Sequence, residues 1–237
     1  MSEADFDISS LAAYLHLLPQ QVARMADRGK LPGRKVSGEW RFSRAEIHHW
    51  LESRIGAIEH DGELAEMEGV LQEGSPPEQS AYTVESLMSV EHVAIPLNAR
   101  TRGSVIDCIV ELAVGTGLLW DPDKMAEAVR AREDMHSTAL TGGVAMLHPR
   151  RPMPQIIAQP FVVLGRTTQG IPFGGEHGGL TDVFFLLCSD SDAGHLQSLA
   201  RLARLVNDAG LLPGIRSADD AEEAYRLLIH CEANLQP

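Results

Sequence analysis

The chain has 237 residues, of which 44% are hydrophobic, and a formal net charge of −13. This length and composition allow a core of about 150 residues and a smaller module besides, so two domains are expected. The acidic balance excludes a molecule that binds nucleic acid over its whole surface and leaves that role to a segment with a different local charge.

The first 55 residues predict a small helical unit. Apolar residues at helical spacing from Leu11 onward predict two helices, and Gly29 ends the second. Arg34 to Phe42 is typical of a hairpin, because Ser37-Gly38 supplies the turn. A third helix is predicted to start at Ser43, with a glutamate at capping-box spacing.

An acidic segment follows this unit. Residues 56–82 contain seven acidic residues, no lysine or arginine, and end in GSPPEQS. This composition predicts a linker, with a first half that allows a helix.

The chain from Thr83 onward alternates between helical and strand-like patterns. Short segments rich in Val, Ile, Leu and Phe are bounded by Gly and Pro, which indicates buried strands. Strands interleaved with helices predict a layered α/β domain over 83–237, with a mixed sheet flanked by helices. The predicted strands are His92 to Ile95, Val144 to Leu147, Ile156 to Leu164 and Asp182 to Leu187; the predicted helices start near Thr101 and at Asp121-Pro122, and two more run from Ala193 to Asp208 and from Ser217 to Cys231.

Cysteine usage and the lack of export signals predict a compartment. The three cysteines, Cys108, Cys188 and Cys231, lie in apolar stretches without CxxC spacing, which favours buried thiols over a disulfide or zinc framework. The N-terminus has no signal-peptide pattern, and no apolar run approaches the roughly 20 residues of a membrane span. A soluble cytoplasmic protein without membrane association is expected.

Basic residues are concentrated in the N-terminal unit, where eight of them offset seven acidic residues. Polar residues on the second helix lie outside its apolar stripe, as in a helix presented to the major groove, and the hairpin would add phosphate contacts. The candidate DNA contacts are Gln20, Gln21, Arg24, Arg28, Lys30, Arg34, Lys35 and Arg41.

The string ISSLAAYL…VARMADRGKLPGRKVSGEWRFSRAEIHHWL resembles the excisionase/MerR-type winged helix-turn-helix family over some 50 residues. The G-x-L-P…G-x-W-R-F…I-x-x-W pattern carries the resemblance. The resemblance implies DNA binding, and because one module neutralises few phosphates, it also implies a homodimer if DNA is the target. A module that docks a protein instead is the alternative.

Three separated elements converge on His148. Arg132 lies seven residues after Met125 on the apolar side of a helix, and a buried guanidinium requires an anion, either a carboxylate or a transient phosphate. His148 follows a short apolar strand, so we expect it to be displayed at the strand end. His195 falls in the first turn of a helix that Asp192 can cap, where an anion is favoured. Hydroxyl and backbone N–H donors for phosphate oxygens are expected from a loop formed by Ser137, Thr138, Thr141, Gly142 and Gly143.

The R-E-x-x-x-S-T-x-x-x-x-x-x-A-x-x-H spacing from Arg132 to His148 and the H-L-x-x-L-A-x-L helix from His195 resemble the EIIA domain of the phosphoenolpyruvate phosphotransferase system, in its fructose/mannitol/nitrogen-regulatory group. The resemblance implies that His148 is phosphorylated, that His195 is the second active-site histidine, and that Arg132 supports both. It also implies an HPr-type phosphocarrier, or its nitrogen-branch equivalent, as donor. The sequence departs from the family at Ala139, Thr141 and Leu147, where Gly, Gly and Pro are usual.

Two alternatives complete the interpretation. A metal site built from His136, His148, His177 and His195 is disfavoured, because the spacing lacks an HxH or HxxxH pair, and no cofactor is expected. The leading hypothesis is a regulatory phosphocarrier, rather than a typical enzyme, that relays its phosphoryl group or signals by its phosphorylation state to DNA or a downstream regulated protein. The other is a non-catalytic transcriptional regulator or scaffold that retains the EIIA shape as a sensor.

Overall fold

The computed structural model describes residues 5–15, 17–57, 82–175 and 178–235. Most of the predicted linker and His177 lie outside these residues. No helix within the described ranges is both long enough and apolar enough to span a membrane.

The N-terminal part, here called the winged module (residues 5–57), has the predicted helix-turn-helix and hairpin. Asp7 caps the first helix, and its carboxylate accepts the Ser10 N–H at 2.7 Å. Ser37 and Gly38 both have positive φ, which is the turn geometry that a two-residue hairpin needs. The elements are α1 (Ile8–Tyr14), α2 (Pro19–Asp27), β1 (Arg34–Val36), β2 (Glu39–Arg41) and α3 (Arg44–Ala57).

The second part, residues 82–235, is a layered α/β unit. Thr101 and Asp121 cap two of its helices, as the sequence predicts. Its helices are α4 (Val84–Leu87), α5 (Arg102–Gly115), α6 (Pro122–Met135), α7 (Asp192–Asn207), α8 (Leu211–Ser217) and α9 (Ala221–Ala233); its strands are β3 (Val93–Ala94), β4 (Ala139–Leu140), β5 (Val144–Leu147), β6 (Phe161–Pro172) and β7 (Leu180–Cys188).

The five strands form one mixed sheet, which confirms the predicted class. The strand order is β3-β6-β7-β5-β4. β3 is parallel to β6 and β5 is parallel to β7, whereas the β6–β7 and β4–β5 pairs are antiparallel. The parallel β5–β7 pair brings the end of β5 next to the end of β7, from which the chain enters α7.

Apolar clusters cover both faces of the sheet. Because successive side chains of a strand point to opposite faces, neighbouring residues belong to different clusters. Phe184 and Leu186 of β7 belong to the apolar cluster on the side of α5 and α6. Val183, Phe185 and Leu187 belong to the cluster on the side of α7, α8 and α9. That second cluster continues into the core of the winged module, so the module packs on the α7 side of the sheet.

The strand predicted over Ile156 to Leu164 is displaced. Ile156 lies in a 3-10 turn, Ile157 forms an isolated bridge with Leu119, and β6 begins only at Phe161. Pro160 has no N–H to donate to a sheet, so the strand starts after it. Burial of Ile156 and Ile157 gives this turn the composition of a strand.

Two helix starts also differ from the prediction. Ser191, not Asp192, caps α7, and its hydroxyl accepts the Gly194 N–H at 3.2 Å. The helix predicted from Ser217 is α9, which begins only at Ala221: Asp220 caps it through the Glu223 N–H, and Ser217 instead ends the short preceding helix α8, which the sequence does not predict. Asp220 therefore lies at the N-cap and not at the third helical position.

Candidate functional site

His148 directly follows β5, but the structure corrects the prediction that it is displayed. Its side chain is only 3% exposed, and Nε2 is buried. Nδ1 lies 2.8 Å from the carbonyl oxygen of Met146. A carbonyl only accepts, so Nδ1 donates this hydrogen bond and carries a proton, and in the neutral tautomer the lone pair lies on Nε2. The hydrogen bond thus distinguishes the two ring nitrogens of His148.

His195 lies beside His148, as the sequence predicts. The ring centroids are 4.8 Å apart and the ring planes are tilted by 56°. His195 is in the first turn of α7, and its Nδ1 is 3.4 Å from the Ser189 hydroxyl. The positive end of the α7 dipole therefore faces the pair of imidazoles and favours negative charge there.

Arg132 has the inward orientation that its spacing predicts. It lies in the last turn of α6, is buried, and donates to the His136 carbonyl at 2.8 Å. Burial raises the pKa of the neighbouring Glu133 carboxyl, although hydrogen bonds from Thr138 and the charges of Arg102 and Arg132 oppose that rise. Glu133 is therefore one carboxyl near the buried Arg132 guanidinium.

The residues of the predicted donor loop lie at opposite ends of β5. Met146 N donates to the Thr138 carbonyl, so Ser137 and Thr138 lie near the His148 end of β5. Ser137 and Thr138 are engaged structurally there: the Ser137 hydroxyl donates to the Phe173 carbonyl at 3.0 Å, and the Thr138 hydroxyl and N–H bond to Glu133.

Thr141, Gly142 and Gly143 lie at the other end of β5, which corrects their assignment to the loop around His148. Five residues of extended chain from Gly143 to His148 span about 16 Å. The Gly142 carbonyl accepts from Arg216, which also forms an ion pair with Asp182 at 2.7 Å. These residues therefore form a turn held by Arg216 and do not reach the histidine pair.

The departures from the family pattern are absorbed locally. Leu147 is fully buried in the α5–α6 cluster, and Ala139 pairs with Ala145 across β4 and β5. Thr141 lies exposed in the turn. Two of the three substitutions therefore pack within the sheet, and the third faces solvent away from His148.

A third histidine, His48 of α3, adds to the pair. Its ring stacks on His195 with centroids 5.3 Å apart and planes 26° apart. Nothing in the sequence of α3 distinguishes His48 from an ordinary surface or core histidine. Only packing between α3 and α7 brings it to His195.

A cleft of about 580 Å³, which His48 lines, opens between the winged module and the α/β unit of residues 82–235, here called the sheet domain. Tyr14 lines it, and burial together with the nearby Asp192 carboxylate raises the pKa of Tyr14 to about 12. Both the winged module and the sheet domain contribute arginines to the cleft. Apart from Arg132, these arginines are not among the site residues that the sequence predicts. The arginines of the cleft are Arg44, Arg132, Arg150 and Arg151.

The candidate DNA contacts lie on a different part of the winged module, since none of them lines the cleft. Arg34 pairs with Asp5 at 2.9 Å, Lys35 with Asp27 at 3.5 Å, and Arg41 with Glu39 at 2.8 Å. The exposed members of the set are Gln20, Gln21, Arg24, Arg28, Lys30, Arg34 and Lys35, and Arg41 is half-buried.

Two families match this chain. Residues 86–231 match the phosphoenolpyruvate-dependent sugar phosphotransferase system EIIA 2 family, and residues 6–55 match a helix-turn-helix domain family. The first match covers more than half of the chain, so the protein belongs to the EIIA 2 family and carries a helix-turn-helix domain before it.

The relatives of this chain include nitrogen regulatory proteins. That of Bradyrhizobium diazoefficiens is 35% identical over 149 residues, which are 61% of this chain and 94% of the relative. That of Escherichia coli is 25% identical over 151 residues, which are 63% of this chain and 91% of the relative.

Solved structures share the fold of the second part. The nitrogen regulatory protein IIA-Ntr from Neisseria meningitidis aligns with a TM-score of 0.53 at 19% identity, over 60% of this chain and 97% of its own. The mannitol IIA from Escherichia coli aligns with a TM-score of 0.53 at 20% identity, over 60% and 98%.

Proposed function

We propose that this protein is a cytoplasmic regulatory phosphocarrier in which residues 83–237 form the EIIA unit and His148 accepts a phosphoryl group from an HPr-type phosphocarrier. The observation that carries the proposal is the bond from His148 Nδ1 to the Met146 carbonyl, which leaves Nε2 as the nucleophile beside His195. The nitrogen-regulatory names of the relatives favour a role in signalling.

The transfer requires little covalent chemistry from the protein. The bond from phosphorus to the donor's nitrogen breaks, its electron pair stays on the donor, and a new bond forms between phosphorus and His148 Nε2. Charge in the transition state spreads over the phosphoryl oxygens, so positioning and electrostatic stabilisation dominate. His195, the α7 N-terminus and Arg132 are the groups that would supply this stabilisation, and Nδ1 of His148 keeps its proton throughout.

Labelling the full-length protein tests the proposal. The protein is incubated with radiolabelled phosphoenolpyruvate, enzyme I and HPr, and the label is followed after treatment with acid and with base. We expect an acid-labile, base-stable phosphate, as a phosphoramidate on histidine requires. Label that depends on neither enzyme I nor HPr, or an acid-stable phosphate, would contradict the proposal.

The winged module is proposed to bind DNA through α2 and the hairpin. Seven of the eight candidate side chains are exposed, and their cations would release counterions from the duplex. Binding of a second protein through the same face is the competing function, and the two differ in their dependence on salt.

Removing the hairpin cations is expected to weaken DNA binding and flatten its salt dependence. For Arg34→Ala and Lys35→Ala, the slope of log affinity against log salt should fall by about one for each lost phosphate contact. Fluorescence anisotropy with a mixed-sequence 30-base-pair duplex measures this slope. Arg226→Ala, an exposed arginine on α9, is the matched control and should behave like the unaltered protein. Affinity that does not change with salt would favour protein docking instead.

A further inference from the structure

The edge of the sheet domain at which His148 and His195 meet is covered by α3 of the winged module. α3 packs against α7, and His48 stacks on His195. His48 is itself only 7% exposed, although it lies on the outer helix of a small module. A spatial row of three imidazoles thus runs from the winged module to the end of β5, in the order His48, His195, His148.

This packing restricts access to the nucleophile. The Nε2 atoms of both His148 and His195 are buried. A phosphoryl donor must bring its phosphorus to within about 3–3.5 Å of the attacking nitrogen. When the donor is itself a protein, a specific contact between the two proteins buries on the order of 1,200–2,000 Å² in total. Such a contact centred on His148 needs the surface that α3 occupies.

The contact between the winged module and the sheet domain combines apolar packing with charged groups. Its apolar component joins the α7 side of the sheet to the module core, and charged side chains of both signs line the adjoining cleft. Glu46 of α3 and Asp190 and Asp192 at the start of α7 line the same cleft as Arg44 and Arg150. A contact of this mixed character is sensitive to added charge, and a phosphoryl group adds about −1.5 to −2 at pH 7.

We propose that the winged module is a lid on the phosphorylation site: α3, with His48 seated on His195, occupies the docking surface of the phosphocarrier, so module docking and phosphorylation of His148 exclude each other. This inference rests on the proposed function. A docked module blocks the phosphocarrier and so slows phosphoryl entry. Because coupling between two equilibria is reciprocal, a phosphoryl group on His148 in turn weakens docking of the module. The phosphorylation state of His148 thereby determines whether the winged module is free or docked.

The test uses the full chain with Ala45→Glu. Ala45 is half-buried in the first turn of α3 and lines the cleft with Asp190 and Asp192, so a larger, charged side chain there disrupts the packing of α3 on the α7 side. A carboxylate in the first turn of a helix is favourable, so α3 itself is retained. Ala13→Glu, on the exposed side of α1, makes the same substitution in the same module away from the cleft. His48→Glu is a second undocking variant.

The initial rate of phosphate incorporation from HPr is measured together with hydrogen exchange of the first turn of α7. Both undocking variants should raise exchange in residues 191–196 and raise the rate by about tenfold or more, whereas Ala13→Glu should match the unaltered protein. Phosphorylation of the unaltered protein should also raise exchange in α3.

The outcomes separate this inference from the proposed function. Equal phosphorylation rates in all forms, with raised exchange in the undocking variants, would overturn the lid alone. Unchanged exchange in both Ala45→Glu and His48→Glu would overturn it also, because it would show that the contact does not hold α7. No incorporation in any form, despite raised exchange, would overturn the proposed function and the lid with it.

Discussion

His148→Ala is expected to reduce phosphate incorporation from HPr to background, a loss of at least about a thousandfold. The substitution removes Nε2, the atom that forms the bond to phosphorus, and transfer without a positioned nucleophile forfeits the advantage of proximity. His148→Asn is a second form, since its amide can still donate to the Met146 carbonyl as Nδ1 does, but it offers no nucleophilic nitrogen. Both variants should be unlabelled, which separates loss of the nucleophile from loss of the hydrogen bond.

His136→Ala provides the control for this loss. His136 is exposed at the end of α6 and bonds Arg132 through its backbone N–H and carbonyl, so its side chain should be dispensable for labelling. Circular dichroism of all forms establishes that the fold is retained. Label of normal amount in His148→Ala would place the phosphate on another of the ten histidines and end the assignment.

Phe184→Ala is expected to lower the free energy of unfolding of the second part of the chain by about 3–5 kcal/mol. Phe184 is fully buried in the central strand β7 and packs edge-to-face on Phe173 with ring centroids 5.1 Å apart. Truncation removes the apolar area of the ring, loses this aromatic contact and leaves a cavity that a sheet between two helical layers cannot close.

Leu180→Ala is the matched control in the same strand. Leu180 is 58% exposed, so its truncation should change the free energy of unfolding by less than about 0.5 kcal/mol. Urea unfolding of the full-length forms, followed by circular dichroism, compares the transition midpoints. Equal midpoints for the two variants would mean that the centre of β7 does not lie in the hydrophobic core.

Several elements could be predicted from the sequence because their signals are local. β5 has the predicted bounds, since a four-residue apolar run is flanked by glycine and proline. The helices predicted to start near Thr101 and at Asp121-Pro122 begin there, and these two residues cap them. The hairpin at Ser37-Gly38 likewise depends only on the conformations that two neighbouring residues can adopt.

Errors arose where local signals were ambiguous. Ile156 and Ile157 are apolar because they are buried, yet their backbone lies in a turn that precedes Pro160. Ser191 and Asp192 are both good caps, and the hydrogen bond to Gly194 selects the first. Thr141, Gly142 and Gly143 follow Ser137 and Thr138 closely in sequence, but the antiparallel pairing of β4 with β5 places them at the far end of β5 from His148.

For the histidine site, the sequence by itself predicted His148 and His195 as candidate residues and the inward orientation of Arg132, because strand ends and helix periodicity are properties of short segments. Only the tertiary structure decided that His148 is buried and that His48 covers His195. The physical reason is that burial and stacking depend on contacts between distant elements, here β5, α7 and α3, and no periodicity within one segment encodes which partner it meets.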